Sequence, residues 1–255
     1  MSDGLVATLK APIRGRADFG EVLAGSWGAV SAGELARRTV VLEAETTVPL
    51  GDLFDLRGTP SGLIRFQGDL RRVDRIGAGL SEGTVVVESG VGHEAGIGMS
   101  GGVLDVHGDA GDRVGGAAPD ARKGMTGGEL VVRGSVGTEP GTRMRRGLLV
   151  VTRHIGARAG PAMIAGTILV FGNVGRAPGI GSKRGSVVAL GSIDIPATYR
   201  YACTYQPDHL RVMLLRLRDR YGLKVQKRHL TGFYRRYSGD LGDLGRGEIL
   251  AWTAE

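Results

Sequence analysis

The chain has a single cysteine among its 255 residues, and this scarcity excludes several classes of site. One thiol, Cys203, cannot form a disulfide within the chain, and it cannot complete an all-cysteine metal or iron–sulfur site. The composition fits a cytoplasmic protein, because reducing compartments disfavour structural disulfides. No apolar stretch approaches the roughly 18 residues that mark a transmembrane helix, so we expect no membrane partner.

Aromatic residues are also scarce, at 5% of the chain, and lysine is rare among the basic residues. The formal net charge is +7, and arginine supplies 28 of the 33 basic side chains. A positive chain can attract nucleic acid, but binding of single strands relies on aromatic side chains interleaved with basic ones. No such interleaving occurs, so we expect no nucleic-acid partner.

None of the five histidines lies in a spacing typical of a metal site, such as H-x-H, H-x-x-x-H or H-E-x-x-H. No serine nucleophile motif occurs in a sequence context that would support catalysis. Strings that resemble G-x-G-x-x-G occur, but 45 glycines produce them by chance and no helix follows them. The sequence therefore predicts no catalytic residue, and no metal or cofactor bound by this chain.

Glycine is what the chain has in abundance, and it recurs with a period of 19 residues. The period is interrupted once, by a seven-residue insertion at 116–122. A glycine in each copy opens a short run rich in β-branched residues, and these glycines are Gly83, Gly102, Gly128, Gly147, Gly166 and Gly185. Self-similarity at a short fixed period is typical of a solenoid.

The six runs predict strands whose second and fourth residues are buried: 84–87, 103–106, 129–132, 148–151, 167–170 and 186–189. Two further apolar columns accompany them, one through Val136 and Ile155 and one of methionines that includes Met125 and Met144. Three buried columns in each period predict three sides. The sequence therefore predicts an all-β, right-handed parallel β-helix with a C-terminal amphipathic helix.

Three segments are predicted. Residues 1–67 form N-terminal strands and a cap, 68–198 form the repeats, and 199–255 form a C-terminal helix and an extended tail. In the tail, Leu210, Met213, Leu214 and Leu217 have helical spacing, and Gly222 closes the run.

One basic stripe is the candidate functional surface. Arg145-Arg146 and Lys183-Arg184 precede strand glycines two periods apart, so stacking would align them, with Arg143 and the inserted Arg122-Lys123 near the same edge. The stripe could bind an acidic partner or a polyanionic ligand. Alternatively, it is a solvated edge whose arginines pair with Asp120, Glu129 and Glu139.

Two strings carry a family resemblance. The frame 134–141, repeated at 172–179, and the closing string Phe233-Tyr-Arg-Arg-Tyr237-Ser-Gly239-Asp240-Leu with Gly245-Arg-Gly247-Glu248-Ile-Leu resemble the C subunits of formylmethanofuran dehydrogenases. The resemblance covers about residues 50–250. The dominance of arginine favours the version found in a bacterial formyltransferase/hydrolase complex.

The resemblance implies a non-catalytic structural subunit in a hetero-oligomer. That complex would convert formyl-tetrahydromethanopterin to formate through a methanofuran-like carrier, within one-carbon metabolism. An amidohydrolase-like partner would hold the metal, and a formyltransferase-like partner would transfer the formyl group. The polyglutamate tail of such carriers would be a ligand for the basic stripe. The resemblance assigns no functional residue to this chain.

Three alternatives stay open from the sequence. The chain could be the corresponding subunit of an archaeal-type formylmethanofuran dehydrogenase, or a β-helical domain like that of glutamate synthase. It could also be an independent β-helix acyltransferase, although such enzymes have 18 residues per coil and the period here is 19.

Overall fold

Two β-sheets organise the part of the chain that the computed structural model describes, which is residues 4–25, 27, 30–59 and 61–254. The N-terminal segment contributes β1 (Leu5–Leu9), β2 (Ala17–Asp18), α1 (Ala32–Ala36), β3 (Thr39–Leu42), β4 (Thr47–Pro49), α2 (Leu50–Leu53), β5 (Phe54–Arg57), β6 (Leu63–Gln67) and β7 (Val73–Asp74). The middle contributes β8 (Thr84–Val87), β9 (Val103–Val106), β10 (Glu129–Val132), β11 (Leu148–Val151), β12 (Thr167–Val170) and β13 (Ser186–Ala189). The C-terminal segment contributes β14 (Arg200–Tyr205), α3 (Asp208–Tyr221), α4 (Lys227–Thr231), β15 (Phe233–Gly239) and β16 (Gly247–Thr253).

The larger sheet has 12 strands in the order β14-β15-β16-β13-β12-β11-β10-β9-β8-β6-β1-β5. Strands β8 to β13 pair in parallel and in register, so Leu130, Leu149, Ile168 and Val187 lie side by side. Antiparallel pairs close both ends, β1 with β5 and β14 with β15. A second sheet has the order β4-β3-β2-β7.

Both faces of the middle strands are buried, which explains their nearly continuous apolar sequences. Leu149 and Val151 face the main core, whereas Val150 lies in a second core beneath α3. The phenylalanines Phe19, Phe54 and Phe66 pack edge to face in the main core, with ring centroids 5.5–6.1 Å apart. Burial of each large apolar side chain stabilises the fold by about 1.5–3 kcal/mol.

Helix α3 occupies the residues that the sequence predicts, and it covers the outer face of the sheet. Leu210, Leu214 and Leu217 are buried against the strands. Pro207 is the N-cap residue. At the other end Gly222 adopts a φ of 64° and donates its N–H to the carbonyl of Arg218 at 2.9 Å, which ends the helix in a left-handed cap.

The prediction of an all-β, right-handed parallel β-helix with a C-terminal amphipathic helix is wrong as a description of this fold. The described ranges contain a mixed sheet of 12 strands, a second sheet of four strands and four helices, an arrangement of mixed α and β character. The three-sided inference fails because only one of the three apolar columns forms strands. The second column makes single bridges such as Val136–Ile155, and the methionine column lies outside any strand. Apolar periodicity reports which residues are buried, but it does not specify how the flanking segments pair.

Across the described residues, no helix combines the length and the apolar character needed to cross a bilayer.

Candidate functional site

The basic stripe lies where the chain turns into β11 and β13, and backbone hydrogen bonds fix its two halves. The N–H groups of Arg145 and Lys183 donate to the carbonyls of Met125 and Met163, each at 2.8 Å. Both methionines are buried. These bonds hold the backbone of the stripe against the buried methionines. The side chains of Arg145, Arg146 and Lys183 are exposed to solvent.

A glycine after each basic pair makes this turn possible. Gly147 has a φ of 98°, a conformation that side chains disfavour, and a Cβ there would lie 2.8 Å from Met125 Cε. The methionine of one segment therefore fits under the glycine of the next. This contact positions Arg145-Arg146 at the surface immediately before the strand.

The structure brings together only part of the predicted stripe. Lys123, Thr126, Arg145 and Arg146 line one concavity of about 300 Å³, which places three cations around a shared space. Lys183-Arg184 does not line it. One intervening strand separates the two basic pairs, a distance of about 10 Å from two strand spacings. The residues Ile164 and Ala165 occupy the equivalent place in that intervening segment.

Arg143 has a positioning role within the fold. Its guanidinium Nη1 donates to the carbonyl of Ala121 at 3.1 Å, and its own carbonyl accepts the N–H of Gly124 at 2.8 Å. These bonds fix the inserted loop beside the strand edge. Arg143 thereby holds Lys123 close to Arg145 and Arg146.

Two of the three carboxylates that could have neutralised the stripe are engaged elsewhere. Glu129 accepts hydrogen bonds from Arg216 and Tyr221 of α3, with Arg220 at 3.3 Å. Glu139 pairs with Arg158 at 2.8 Å. In residues 4–25, 27, 30–59 and 61–254, no ion pair joins a carboxylate to any of Arg143, Arg145, Arg146, Lys183 and Arg184. The positive charge of this surface is therefore uncompensated within that part of the chain.

Glu139 also belongs to a ladder of alternating charges that was not predicted from the sequence. Arg75, Glu94, Arg113, Glu139 and Arg158 occupy equivalent positions of successive segments, all with φ between 56° and 62°. Glu94 pairs with Arg113 as Glu139 pairs with Arg158. The charge alternates in sign at the 19-residue period, with one longer step at the insertion, and this signal is present in the sequence.

A buried carboxylate on β9 is also satisfied, by the residue that follows β10. Arg133 donates two hydrogen bonds to Asp105, at 2.9 and 2.8 Å, and His107 Nε2 lies 3.4 Å from the same carboxylate. The bonds to Asp105 raise the pKa of Arg133. This bidentate pair fixes Asp105 as a structural group.

His229 is a buried titratable side chain of α4, and it lies beside the start of α3. Its two ring nitrogens have no hydrogen-bond partner among the described residues, and its ring packs edge to face on Trp252 with centroids 5.5 Å apart. Burial, and then the charge of Arg228, lowers its pKa. A concavity of about 90 Å³ nearby is lined by Asp208 and Arg211, among others. The neutral ring is thus part of the packing.

Among the described residues, no group of three or more His, Cys, Asp or Glu side chains is placed to hold a metal ion.

Comparison with known proteins gives an extensive likeness to a solved structure. No family model matches the sequence, and no curated protein matches it. Among solved structures, the chain is similar to a chain of the formyltransferase/hydrolase complex FhcABCD from Methylorubrum extorquens, whose crystal structure contains methylofuran. The TM-score is 0.80 at 32% sequence identity, and the match covers 96% of this chain and 98% of the other. The likeness therefore extends over almost the whole of both chains.

Proposed function

This chain belongs to the family of formyltransferase/hydrolase complex subunits, and from that membership we propose that it is the non-catalytic structural member of such a complex. The complex converts formyl-tetrahydromethanopterin to formate through a methanofuran-like carrier. A formyltransferase-like partner transfers the formyl group, and an amidohydrolase-like partner with a bound metal releases formate. The observation that carries the proposal is the likeness over nearly the whole of both chains.

The use of the acidic residues supports a structural role. Asp105, Glu129 and Glu94 each pair with an arginine of a neighbouring segment, so these carboxylates hold the fold together. The neighbouring structure, which contains methylofuran, supports the hydrolase complex over the archaeal-type dehydrogenase. A cytoplasmic location is part of the proposal, in keeping with a free Cys203.

The basic surface supports a role in holding the carrier. Lys123, Arg145 and Arg146 surround one concavity and lack carboxylate partners in the described chain. Such a cluster can bind successive carboxylates of a polyglutamate tail through charge-assisted hydrogen bonds. Lys183-Arg184, about two strand spacings or 10 Å away, offers a second contact to the same extended tail.

The test compares the purified chain with the complex isolated from the native cell. Formate release from formyl-tetrahydromethanopterin is measured for both at equal molar concentration. We expect turnover by the complex and none by the isolated chain. Release of formate by the isolated chain would contradict the non-catalytic role.

A further inference from the structure

The large sheet continues past β13 into three strands whose last member has an open edge. Strand β16 pairs with β13 in parallel, β15 pairs with β16, and β14 pairs with β15 on one side only. Residues 200–204 of β14 are all exposed. An edge strand of this length presents unpaired N–H and C=O groups to which another extended segment can bond.

One face of these strands continues the face that is buried elsewhere in the sheet. Ile249 is fully buried in the main core, and its register partner on β15 is Tyr237, which pairs in turn with Tyr201 of β14. Tyr201 is 59% exposed. The core-facing side of the sheet therefore ends in a solvent-exposed aromatic surface.

We call this surface the aromatic shelf, and it consists of Tyr201, Thr204, Arg235 and Tyr237. These four residues line a concavity of about 510 Å³. The two tyrosine rings pack edge to face with centroids 6.0 Å apart, and the hydroxyls of Tyr201 and Thr204 lie 3.0 Å apart. Tyrosine and arginine are the residue types enriched at the energetic centres of protein interfaces.

Charge indicates the chemistry of the occupant. Arg235 is exposed and has no carboxylate partner in the described ranges, and Arg200 is exposed at the start of β14. The nearby carboxylate of Glu248 accepts hydrogen bonds from Ser186 and Arg236. A second copy of the chain would bring further arginines to this edge, whereas an acidic segment would neutralise them.

We propose that β14 binds an extended acidic segment of a partner protein by strand addition, with an acidic side chain on Arg235 and an apolar one against Tyr201 and Tyr237. Backbone hydrogen bonds would supply affinity and the shelf would supply specificity. The register shift between Tyr201 and Cys203 bends the edge, which disfavours indiscriminate pairing. This inference rests on the proposed function, because it locates one contact of the same complex.

Cys203 lies on β14 and is exposed, so it reports directly on the occupancy of this edge. The alkylation rate of Cys203 by a maleimide is measured by peptide mass spectrometry in the isolated chain and in the native complex. We expect the rate to fall at least tenfold in the complex. A Lys224→Cys variant, exposed in the loop after α3, is the control for general shielding and should stay reactive in the complex.

Substitutions test the shelf itself. Arg235→Glu and Tyr201→Ala should each reduce recovery of partner proteins at least fivefold, with the far-ultraviolet spectrum of the isolated chain unchanged. Lys224→Glu introduces the same charge change elsewhere and should leave recovery intact.

A complex that assembles with Cys203 fully reactive and with Arg235→Glu tolerated overturns the inference but not the proposed function. A chain that recovers no partner overturns both, and protection that rises with the concentration of the isolated chain overturns the inference by identifying a second copy as the occupant.

Discussion

Single glycines and polar side chains decide whether neighbouring segments can stack. Gly166 has a φ of 101°, and a Cβ there would lie 3.0 Å from Met144 Cε and 3.3 Å from the carbonyl carbon of Arg146. The buried methionine thus depends on the absence of a side chain at the next turn. The same geometry recurs at Gly147 with Met125.

We expect Gly166→Val to lower the free energy of unfolding by at least ~1–3 kcal/mol, from backbone strain alone. Crowding of Met144 adds to that loss. Thr167→Val is the matched control, because it introduces the same side chain one residue later, where Leu148 is the register partner. Denaturant unfolding of both variants measures the difference. An unchanged midpoint for Gly166→Val would contradict this account, because it would show that Met144 can move aside without loss of stability.

Polar side chains bond to the backbone of the following segment, and His154 shows this at one corner. Its Nδ1 accepts the N–H of Asn173 at 3.0 Å, and the Asn173 amide oxygen accepts the N–H of Ser192 at 3.1 Å. The two residues occupy equivalent positions 19 residues apart. An asparagine can therefore replace the histidine as an acceptor.

We expect His154→Ala to cost about 0.5–1.5 kcal/mol of unfolding free energy, the usual net value of one hydrogen bond. His154→Asn should retain most of it. His209→Ala, at an exposed position of α3, is the control and should change the stability by less than about 0.5 kcal/mol. Equal losses in the alanine and asparagine variants of His154 would show that shape, and not the acceptor, matters there.

At the scale of elements, α3 stabilises the molecule by covering the outer face of the sheet. Leu214 is fully buried among residues that include Val150 and Leu169, whereas Val212 on the same helix is 65% exposed. The hydrogen bonds from Arg216 and Tyr221 to Glu129 tie the end of the helix to β10. Burial, and then the hydrogen bond to Glu129, raises the pKa of Tyr221.

We expect Leu214→Ala to destabilise the chain by about 2–5 kcal/mol, because it leaves a cavity between the helix and the sheet. Val212→Ala makes a comparable truncation on the exposed side and should change stability by less than about 0.5 kcal/mol. Thermal and urea unfolding of the two variants give the comparison. Similar midpoints would contradict the packing of α3 on the sheet.

His229 makes the C-terminal elements sensitive to acid. Its pKa is lowered in the folded state by burial and by Arg228. Above the ordinary histidine pKa of about 6.5 both states are neutral at this residue, but below it the unfolded state binds a proton that the folded state resists. The contribution to stability is therefore lost as the pH falls from about 6.5 towards the lowered folded-state pKa, by at most about 1.4 kcal/mol per pH unit.

We expect His229→Phe to flatten the dependence of stability on pH below about 6.5, since the ring can keep its packing on Trp252 and loses no hydrogen bond. His209→Gln removes an exposed histidine of α3 and is the matched control. Urea unfolding between pH 5 and 8 measures both. An acid-side slope that is the same in His229→Phe and the wild type would contradict the assignment.

The sequence predicts much of the element pattern, and the reason is physical. The alternation of buried residues locates β8 to β13, and the helical spacing of leucines locates α3, because in both cases each side chain faces one environment. Strand β14 carries no such signal, since residues 200–204 are exposed on both faces. The sequence also does not predict how the strands of the N- and C-terminal segments pair with the repeat strands, because this pairing depends on contacts between segments far apart in the chain.

The candidate site is also predictable from the sequence only in part. The pairs Arg145-Arg146 and Lys183-Arg184 can be recognised from the sequence, and so can the position of Lys123 near the same edge. The hydrogen bond by which Arg143 holds the inserted loop cannot be predicted in this way. The aromatic shelf joins Tyr201 to Arg235 and Tyr237 across two strands, so no local motif could reveal it.

At the scale of the whole molecule, the proposed function requires a stable surface that holds partner proteins and an anionic carrier. Because several cations contribute to the basic surface, the test reverses four charges together. We expect the quadruple variant Arg145→Glu, Arg146→Glu, Lys183→Glu and Arg184→Glu to fold normally and to bind the polyglutamate carrier at least tenfold more weakly.

Replacing Arg145, Arg146 and Arg184 by lysine retains the charge and is the matched control, for which we expect a change of less than about threefold. Titration of the complex with the carrier at two salt concentrations measures both, since charge-dominated binding weakens with salt. Unchanged carrier affinity in the quadruple variant would show that this surface is a solvated edge that does not bind the carrier.

Membership of a formyl-transferring assembly, in a structural role, is the property on which the other proposals depend. The most direct measurement is affinity capture of the chain from its native cell, followed by mass spectrometry of the stoichiometric partners and assay of formate release. We predict an amidohydrolase-like and a formyltransferase-like protein in fixed ratio to the chain, with activity only in their presence. Recovery of the chain alone, or in association with an unrelated amidotransferase, would contradict that role.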